Sequence, residues 1–162
     1  QENLQAAFAG ESQANRKYLA FAKKAELDGY PRIARLFRAA ADAETIHALA
    51  HLKNMDGVGT TRENLESAVA GETYEFTEMY PPMVEQAERD GHKSRTMFGF
   101  ALKAERVHAR LFAQALEAIK ANADLLEMEI YICPVCGDLE LGKPETKCPI
   151  CGAQADKFQK VA

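Results

Sequence analysis

The sequence lacks several features that mark common functional classes. It has no excess of basic charge, because 20 Lys and Arg stand against 24 Asp and Glu, for a net charge of −4. Proteins that bind nucleic acid or anionic membranes usually carry a basic patch, so we expect neither partner. Apolar residues make up 47% of the chain. No apolar run, however, approaches the roughly 20 residues of a membrane-spanning helix.

Cysteine is missing from most of the chain, and we expect no secretory signal at the start. Gln1–Leu4 has neither a basic segment nor an apolar one, which predicts a cytoplasmic protein. The four cysteines follow late, as two Cys-x-x-Cys pairs beginning at Cys133 and Cys148. In a chain without an export signal, such pairs indicate metal ligands rather than disulfides. No cysteine is then left for thiol peroxidase chemistry.

Four long helices are predicted from apolar residues that recur at spacings of three and four. Gly29 should end the first helix, and Pro31 suits the first turn of the second. Thr61 is a candidate N-cap for the third helix, and Pro81–Pro82 should kink or split it. Asp90–Gly91 should end it before the fourth helix. Helices of about 25 residues, each roughly 40 Å long, predict a four-helix bundle.

The chain contains one helical hairpin twice, at an offset of 61 residues. Glu44–His47 (Glu-x-x-His) in the second helix returns as Glu105–His108 in the fourth, and Ala7–Glu11 matches Ala68–Glu72. Each copy therefore supplies a Glu from its first helix and a Glu-x-x-His from its second. On a helix, residues three apart share a face, so each Glu-x-x-His presents both groups to the same side.

Carboxylates and imidazoles on these inner faces predict a metal site. A lone Glu there is usually a rim residue that reaches water, and a lone His usually packs in the core. Five like charges in a low-dielectric interior cannot all stay ionised without counter-charge, however, so two cations are expected. Such ligands favour iron or manganese, and this distribution over four helices is the di-iron carboxylate pattern. The candidate ligands are Glu11, Glu44, His47, Glu72, Glu75, Glu105 and His108.

The two copies differ at one informative position. Glu75 has Ala14 as its counterpart, so the site should be asymmetric, with a fifth carboxylate that binds or leaves with the oxidation state. Tyr18 and Tyr80 could donate hydrogen bonds to ligand carboxylates, although they could also be ordinary core aromatics. His51 has Phe112 as its counterpart, and we expect it to be packed or solvated.

A second domain is predicted after the bundle. The predicted division is a bundle at 1–123, a linker at 124–130 and a small domain at 131–162. Cys133–Gly137 and Cys148–Gly152, which we call the first and second knuckles, are near copies that could hold one tetrahedral metal through four thiolates. Zinc and iron both fit such a site: zinc would make a structural ribbon, and iron a one-electron carrier. About 32 residues bury little core, so the metal should supply stability.

Together these motifs resemble the rubrerythrin family, over nearly the whole chain. The resemblance implies a mainly α fold, a ferritin-like four-helix bundle followed by a small rubredoxin-like four-cysteine domain. It also implies a di-iron centre in the bundle and one iron, with zinc as a substitute, bound by Cys133, Cys136, Cys148 and Cys151. One departure is Asp138 after the first knuckle, where an aromatic residue is common in the family.

The resemblance also implies roles for individual residues. Glu44 and Glu105 would bridge the irons, Glu11 would bind the first, and Glu72 with His108 would bind the second. On the first iron, Glu75 would bind in the oxidised state and His47 in the reduced state. Tyr18 and Tyr80 correspond to tyrosines near the site. The catalytic group implied is therefore Glu75, His47, Tyr18 and Tyr80.

The implied activity is a peroxidase that reduces hydrogen peroxide to water in oxidative-stress defence. Electrons would come through the iron-tetrathiolate from a rubredoxin or an NAD(P)H-linked reductase. A homodimer or higher homo-oligomer is implied, with head-to-tail pairing of small domain and bundle, and the middle connection could let hairpins exchange between chains. Two other functions stay open: a ferroxidase or iron-handling ferritin-like protein, and a non-enzymatic zinc-ribbon module on a structural bundle.

Overall fold

The computed structural model describes residues 1–161, so Ala162, the end of the predicted small domain, lies outside the described residues. The chain is mainly helical and carries a three-stranded sheet near its C-terminus. It divides between Gly59 and Thr60 into two compact units. Among the described residues, none of the helices combines the length and apolar character that a membrane crossing requires.

The first unit is a helical hairpin of α1 (Glu2–Leu27) and α2 (Pro31–Asn54). Gly29 ends α1 in the left-handed region at φ +83°, which glycine adopts without steric cost. The Tyr30 N–H donates to the Ala25 carbonyl at 2.8 Å and closes the end of the helix. Pro31 then starts α2, so the turn predicted from the Gly and Pro positions is confirmed.

Small side chains line the seam between α1 and α2. Asn15 Nδ2 donates to the Ala41 carbonyl at 2.7 Å and to Thr45 Oγ1 at 2.8 Å, which fixes the register of the two helices. This register brings Glu11 of α1 opposite Glu44 of α2. Alanine leaves little bulk between helices, so their axes can approach closely. The buried seam residues are Ala22, Ala25, Ala34, Ala41 and Ala48.

The second unit begins with a second helical hairpin. Its N-cap is Thr60, one residue before the predicted Thr61, because Thr60 and Glu63 form a reciprocal capping box. The Thr60 N–H donates to Glu63 Oε2 at 2.8 Å, and the Glu63 N–H donates to Thr60 Oγ1 at 3.3 Å. The elements are α3 (Thr61–Tyr74), a π-helical segment (Glu75–Met79), α4 (Tyr80–Arg89) and α5 (Arg95–Lys120).

The predicted interruption of the third helix is confirmed. The π-helical segment Glu75–Met79 separates α3 from α4, and Pro81–Pro82 lie in the first turn of α4. Proline has no N–H to donate and crowds the carbonyl four residues earlier, so the helix widens before the prolines. Such wide turns are frequent at functional sites, and this one places Glu75 at its first position.

The small domain is a sheet and two cysteine knuckles. Strands β1 (Ile130–Ile132), β2 (Leu139–Leu141) and β3 (Gln159–Lys160) form an antiparallel sheet in the order β2-β1-β3. Its core is made by buried cysteines and Phe158, and Phe100 of α5 packs against that core. The small domain therefore contacts α5 of its own chain.

Candidate metal centres

The first unit brings together one carboxylate–imidazole set. His47 Nδ1 lies 3.4 Å from Glu44 Oε2 and 3.7 Å from Glu11 Oε1. One ligand atom from each residue lies within 4.8 Å of the others. Proximity of Glu44 raises the pKa of Glu11, although the charges of His47 and His51 lower it. We call this group, Glu11, Glu44 and His47, the first half-set.

The second unit contains the equivalent group, which is more buried. His108 Nδ1 lies 2.6 Å from Glu105 Oε2 and 3.5 Å from Glu72 Oε2. The exposed fraction of the His108 side chain is 18%, against 55% for His47. We call this group, Glu72, Glu105 and His108, the second half-set. The helical repeat thus builds the same three-residue geometry twice.

The second half-set contains an unsatisfied acceptor. In the described part of the chain, Glu72 Oε2 is a buried carboxylate oxygen without a hydrogen-bond partner. Burial, then the proximity of Glu105, raises the pKa of Glu72. A buried oxygen of this kind is costly unless a proton or cation compensates it. The residues present therefore fit a metal ion.

Glu75 lies beside the second half-set rather than in its tight cluster. Burial raises its pKa, the charge of Glu72 raises it further, and the charge of His108 lowers it. Tyr80 also lies close to these carboxylates. Burial raises its pKa most, and the negative charges nearby raise it further, from Glu105, Glu75 and Glu72. Tyr80 therefore stays protonated at neutral pH and can act as a hydrogen-bond donor.

Tyr18 lies among aromatic rings of the first unit. Its ring centroid is 6.3 Å from that of Phe21 and 6.2 Å from that of Phe37. Tyr80 has a corresponding neighbour, since its ring lies 6.3 Å from that of Phe98, the repeat counterpart of Phe37. The two tyrosines thus occupy similar aromatic surroundings in the two hairpins.

His108 links its half-set to a cysteine knuckle. Its Nε2 lies 2.9 Å from the carbonyl oxygen of Gly137, which directly follows Cys136. A carbonyl can only accept, so Nε2 carries the hydrogen and donates it. In the neutral ring this leaves the Nδ1 lone pair directed at Glu105 and Glu72. Histidines that bind metal typically show this arrangement, with one ring nitrogen free for the metal and the other donating a hydrogen bond that fixes the ring.

The four cysteines form a pocket suited to one tetrahedral ion. Cys133 Sγ lies 3.6 Å from Cys151 Sγ, and Cys136 Sγ lies 3.5 Å from Cys148 Sγ. These separations far exceed a disulfide bond of about 2.05 Å. They are close to the roughly 3.8 Å between thiolates that are each about 2.3 Å from a tetrahedral ion.

The two knuckles share one backbone pattern. Gly137 and Gly152 adopt φ +84° and +77°, and each N–H donates at 2.9 Å to the carbonyl of the first cysteine in its knuckle. Burial raises the pKa of Cys148 to about 11 and raises that of Cys136 further. A bound cation is therefore needed to hold these cysteines as thiolates.

Asp138, the departure noted in the sequence, is buried. Its exposed fraction is 1%, and the Cys148 thiol donates to its Oδ2 at 3.4 Å. The Asp138 carbonyl also accepts from the Cys133 N–H at 2.8 Å. Asp138 thus makes a polar contact directly at a sulfur atom of the four-cysteine group.

The structure brings six of the seven predicted bundle ligands together as two half-sets and the four cysteines as one pocket, whereas Glu75 lies beside the second half-set. Sequence reasoning missed one neighbour of these groups, Gly137. The Gly137 contact had no signal in the sequence, because it joins residues 29 positions apart through a backbone carbonyl. His51, which was expected to be packed or solvated, is partly buried and lowers the pKa of Glu11 through its charge.

Changing Glu72 to Gln should stabilise the metal-free protein at neutral pH. Because the folded-state pKa of Glu72 is raised above its ordinary value of 4.5, stability is lost as pH rises from about 4.5 through the raised pKa. Removing the charge should return on the order of 1 kcal/mol at pH 7 and flatten the dependence. Urea denaturation of metal-free protein at pH 5 and pH 7 measures both effects.

The matched control is Glu66→Gln on the same helix, where Glu66 forms an exposed ion pair with Arg62. An exposed pair contributes at most about 1 kcal/mol, so this variant should be neutral or slightly less stable. If Glu72→Gln lowered the stability by as much as the control does, the conclusion that the buried Glu72 carboxylate destabilises the metal-free protein would be contradicted.

The comparisons with known proteins cover both parts of the chain. The family model described as rubrerythrin matches residues 2–116, and the model described as the rubredoxin-like domain of rubrerythrin matches residues 131–159. The boundaries 1–123, 124–130 and 131–162 stay a prediction. The helices carry the Glu and His residues of a di-iron site, and the C-terminal domain carries a four-cysteine rubredoxin-like site.

Curated relatives and a solved structure agree with the family models. Rubrerythrin-2 of Clostridium acetobutylicum is 39% identical, over 96% of this chain and 93% of the relative. Nigerythrin of Nitratidesulfovibrio vulgaris is also 39% identical, over 97% of this chain and 84% of the relative. A structure of fully reduced, all-ferrous nigerythrin matches with a TM-score of 0.59 and 37% identity, over 99% of this chain and 85% of that one. The chain belongs to the rubrerythrin family.

Proposed function

We propose that this protein is a non-haem di-iron peroxidase that reduces hydrogen peroxide to water in oxidative-stress defence. The observation that carries the proposal is the position of His108. One ring nitrogen faces the carboxylates of the second half-set, and the other donates a hydrogen bond to the Gly137 carbonyl in the first knuckle. A single imidazole thus joins a site suited to two-electron chemistry and a site suited to one-electron transfer.

The two half-sets together would hold the iron pair. Glu44 and Glu105 would bridge, Glu11 would bind one iron, and Glu72 with His108 the other. Each half-set alone offers three ligand groups, whereas the di-iron pattern uses ligands from all four helices. Oxygen and nitrogen ligands suit iron, and the related nigerythrin has been solved in an all-ferrous state.

When bound, the iron pair supplies two electrons and a Lewis acid for cleavage of the peroxide O–O bond. In the balanced reaction, one hydrogen peroxide takes up two electrons and two protons and gives two waters. The chain must therefore deliver protons as well as hold metal. No Ser or Cys nucleophile is required.

In this proposal, Glu75 and Tyr80 would serve the transfer of protons and the exchange of metal ligands. Glu75 begins the π-helical segment, a kind of wide turn that is frequent at functional sites. Its raised pKa favours release of the carboxylate as a proton carrier when it does not ligate metal. Protonated Tyr80 can donate a hydrogen bond to a carboxylate or to peroxide. His47 would take the position that Glu75 leaves.

The cysteine pocket would serve as the electron entry. Its path to the half-set is short: Cys136, the Gly137 carbonyl, the His108 ring and the ligand carboxylates. The contact lies within one chain and is reinforced by Phe100 of α5 packing on the pocket. Iron rather than zinc in this pocket follows from the proposal, because zinc carries no electron. A rubredoxin or an NAD(P)H-linked reductase in the cytoplasm would be the donor.

Adding peroxide to the anaerobic, fully reduced protein should oxidise the iron pair rapidly. Glu75→Ala should slow this step by roughly 10²-fold or more, because a ligand and proton carrier is lost. Stopped-flow absorption measures the rate. The control is Glu78→Ala, an exposed carboxylate in the same π-helical segment, which should leave the rate unchanged.

An equal rate in Glu75→Ala and wild type would count against the proposed role of Glu75. No rapid oxidation by peroxide in wild type, together with rapid oxidation by dioxygen and a large closed shell by light scattering, would favour the ferroxidase alternative.

Removing one thiolate should separate electron entry from the reaction at the iron pair. Cys148→Ser should abolish the visible thiolate-to-iron bands and the steady turnover supported by a reductase. A single oxidation of chemically reduced protein by peroxide should persist, because the half-sets are intact. Lys147→Ala, an exposed neighbour, is the control. Full reductase-supported turnover in Cys148→Ser would exclude the cysteine pocket as the electron entry.

A further inference from the structure

The π-helical segment Glu75–Met79 is held within its own helix by hydrogen bonds. The Tyr80 N–H donates to the Glu75 carbonyl five residues earlier, which is the wide π-helical pattern. Thr77 Oγ1 donates to the Thr73 carbonyl at 2.7 Å, so a side-chain hydroxyl adds a bond across the start of the segment. These bonds run along the helix, and they do not fix the segment against a neighbouring helix.

Arg106 of α5 supplies a contact between the segment and that helix. Its guanidinium carbon lies 5.7 Å from the ring centroid of Phe76, the residue directly after Glu75. A guanidinium within about 6 Å of an aromatic centroid is attracted by the negative face of the ring. Phe76 is partly buried and Arg106 is exposed. Because Arg106 directly follows Glu105, the contact joins the chain neighbours of two candidate metal ligands.

The first hairpin makes a contact at the equivalent pair of positions. The 61-residue offset relates Phe76 to Asn15 and Arg106 to Thr45. Asn15 Nδ2 donates to Thr45 Oγ1 at 2.8 Å. Each hairpin therefore ties its helices together at the level of its half-set. The position of the contact is the same in both copies, and its chemistry differs.

The chemical difference coincides with a difference in the backbone. Asn15 follows Ala14 in a regular helix, whereas Phe76 follows Glu75 in the wide turn. An amide hydrogen bond needs a separation of about 2.7–3.2 Å and a defined direction. A cation over a ring is attracted anywhere within about 6 Å of the centroid, so small shifts do not break the contact. The Arg106 contact can therefore hold the wide turn while the turn adjusts.

We propose that Arg106 is a positioning residue for Glu75, an inference that rests on the ligand change of Glu75 in the proposed function. By holding Phe76 against α5, Arg106 keeps the preceding Glu75 beside the second half-set. The carboxylate is then limited to the positions that ligand exchange and proton transfer use. Arg106 acts through the Phe76 ring, so loss of the contact should leave the ligands of the second half-set in place.

Amide hydrogen exchange of the full-length, metal-free protein tests the contact itself. Arg106→Met keeps a long unbranched side chain and removes the charge. It should speed exchange of the amides in Glu75–Met79 by about two- to fivefold, the effect of one cation–π contact at an exposed site. Phe76→Leu should have a similar effect, and the double variant should exceed neither single variant by much.

Lys103→Met is the matched control, because it removes another exposed cation of α5. It should leave exchange in Glu75–Met79 unchanged, and Arg106→Lys should restore most of the protection. Equal exchange in Arg106→Met and wild type, or effects of the two single variants that add fully, would overturn the proposal.

Peroxide oxidation of the iron-loaded, reduced protein tests the link to Glu75. Arg106→Met should slow the oxidation by about two- to fivefold at unchanged iron content, and Arg106→Lys should recover most of the rate. In a Glu75→Ala background, Arg106→Met should have no further effect, because the carboxylate that it positions is gone. Equal slowing in both backgrounds, or a loss of iron that accounts for the slower oxidation, would overturn the positioning role.

The two readouts separate this inference from the proposed peroxidase. Hydrogen exchange reports the contact without metal or turnover. The expected exchange effects, together with no oxidation of the wild type by peroxide, would refute the peroxidase alone. Rapid oxidation of the wild type, together with Arg106 variants that match the Lys103→Met control in both measurements, would refute the positioning role alone.

Discussion

The candidate metal centres are built on repulsion between paired carboxylates, which a proton or a cation can relieve. Glu11 with Glu44, and Glu72 with Glu105, lie close enough to raise the pKa of one member of each pair. The Glu72 oxygen without a partner marks where the compensation is incomplete. A bound metal ion would compensate the like charges within each half-set, so it would contribute to the stability of the protein as well as to its chemistry.

Other features of the fold position these carboxylates. The alanine seam and the Asn15 hydrogen bonds set the register of α1 and α2, and the prolines widen the helix at Glu75. The hydrogen bond from His108 to Gly137 fixes the orientation of an imidazole and couples the half-set to the cysteine pocket.

Local sequence rules predicted the helices and the clustering of most candidate ligand residues, because both depend on short spacings along the chain. The three-residue separation in Glu-x-x-His, the Gly29–Pro31 turn and the Cys-x-x-Cys pairs each specify geometry within one or two turns. The burial of Asp138 and the His108–Gly137 bond could not be predicted, because both depend on how the small domain folds and packs on α5. The N-cap shifted to Thr60 because Glu63 completes the box there.

Mössbauer spectroscopy of the oxidised protein loaded with ⁵⁷Fe tests the central claim most directly. If the carboxylate–imidazole half-sets close around a pair of ions, the spectrum should show a spin-coupled ferric pair. The pair should contain two irons for each iron held by four thiolates. Bundle iron that is magnetically isolated, or present as a single ion per chain, would contradict the account.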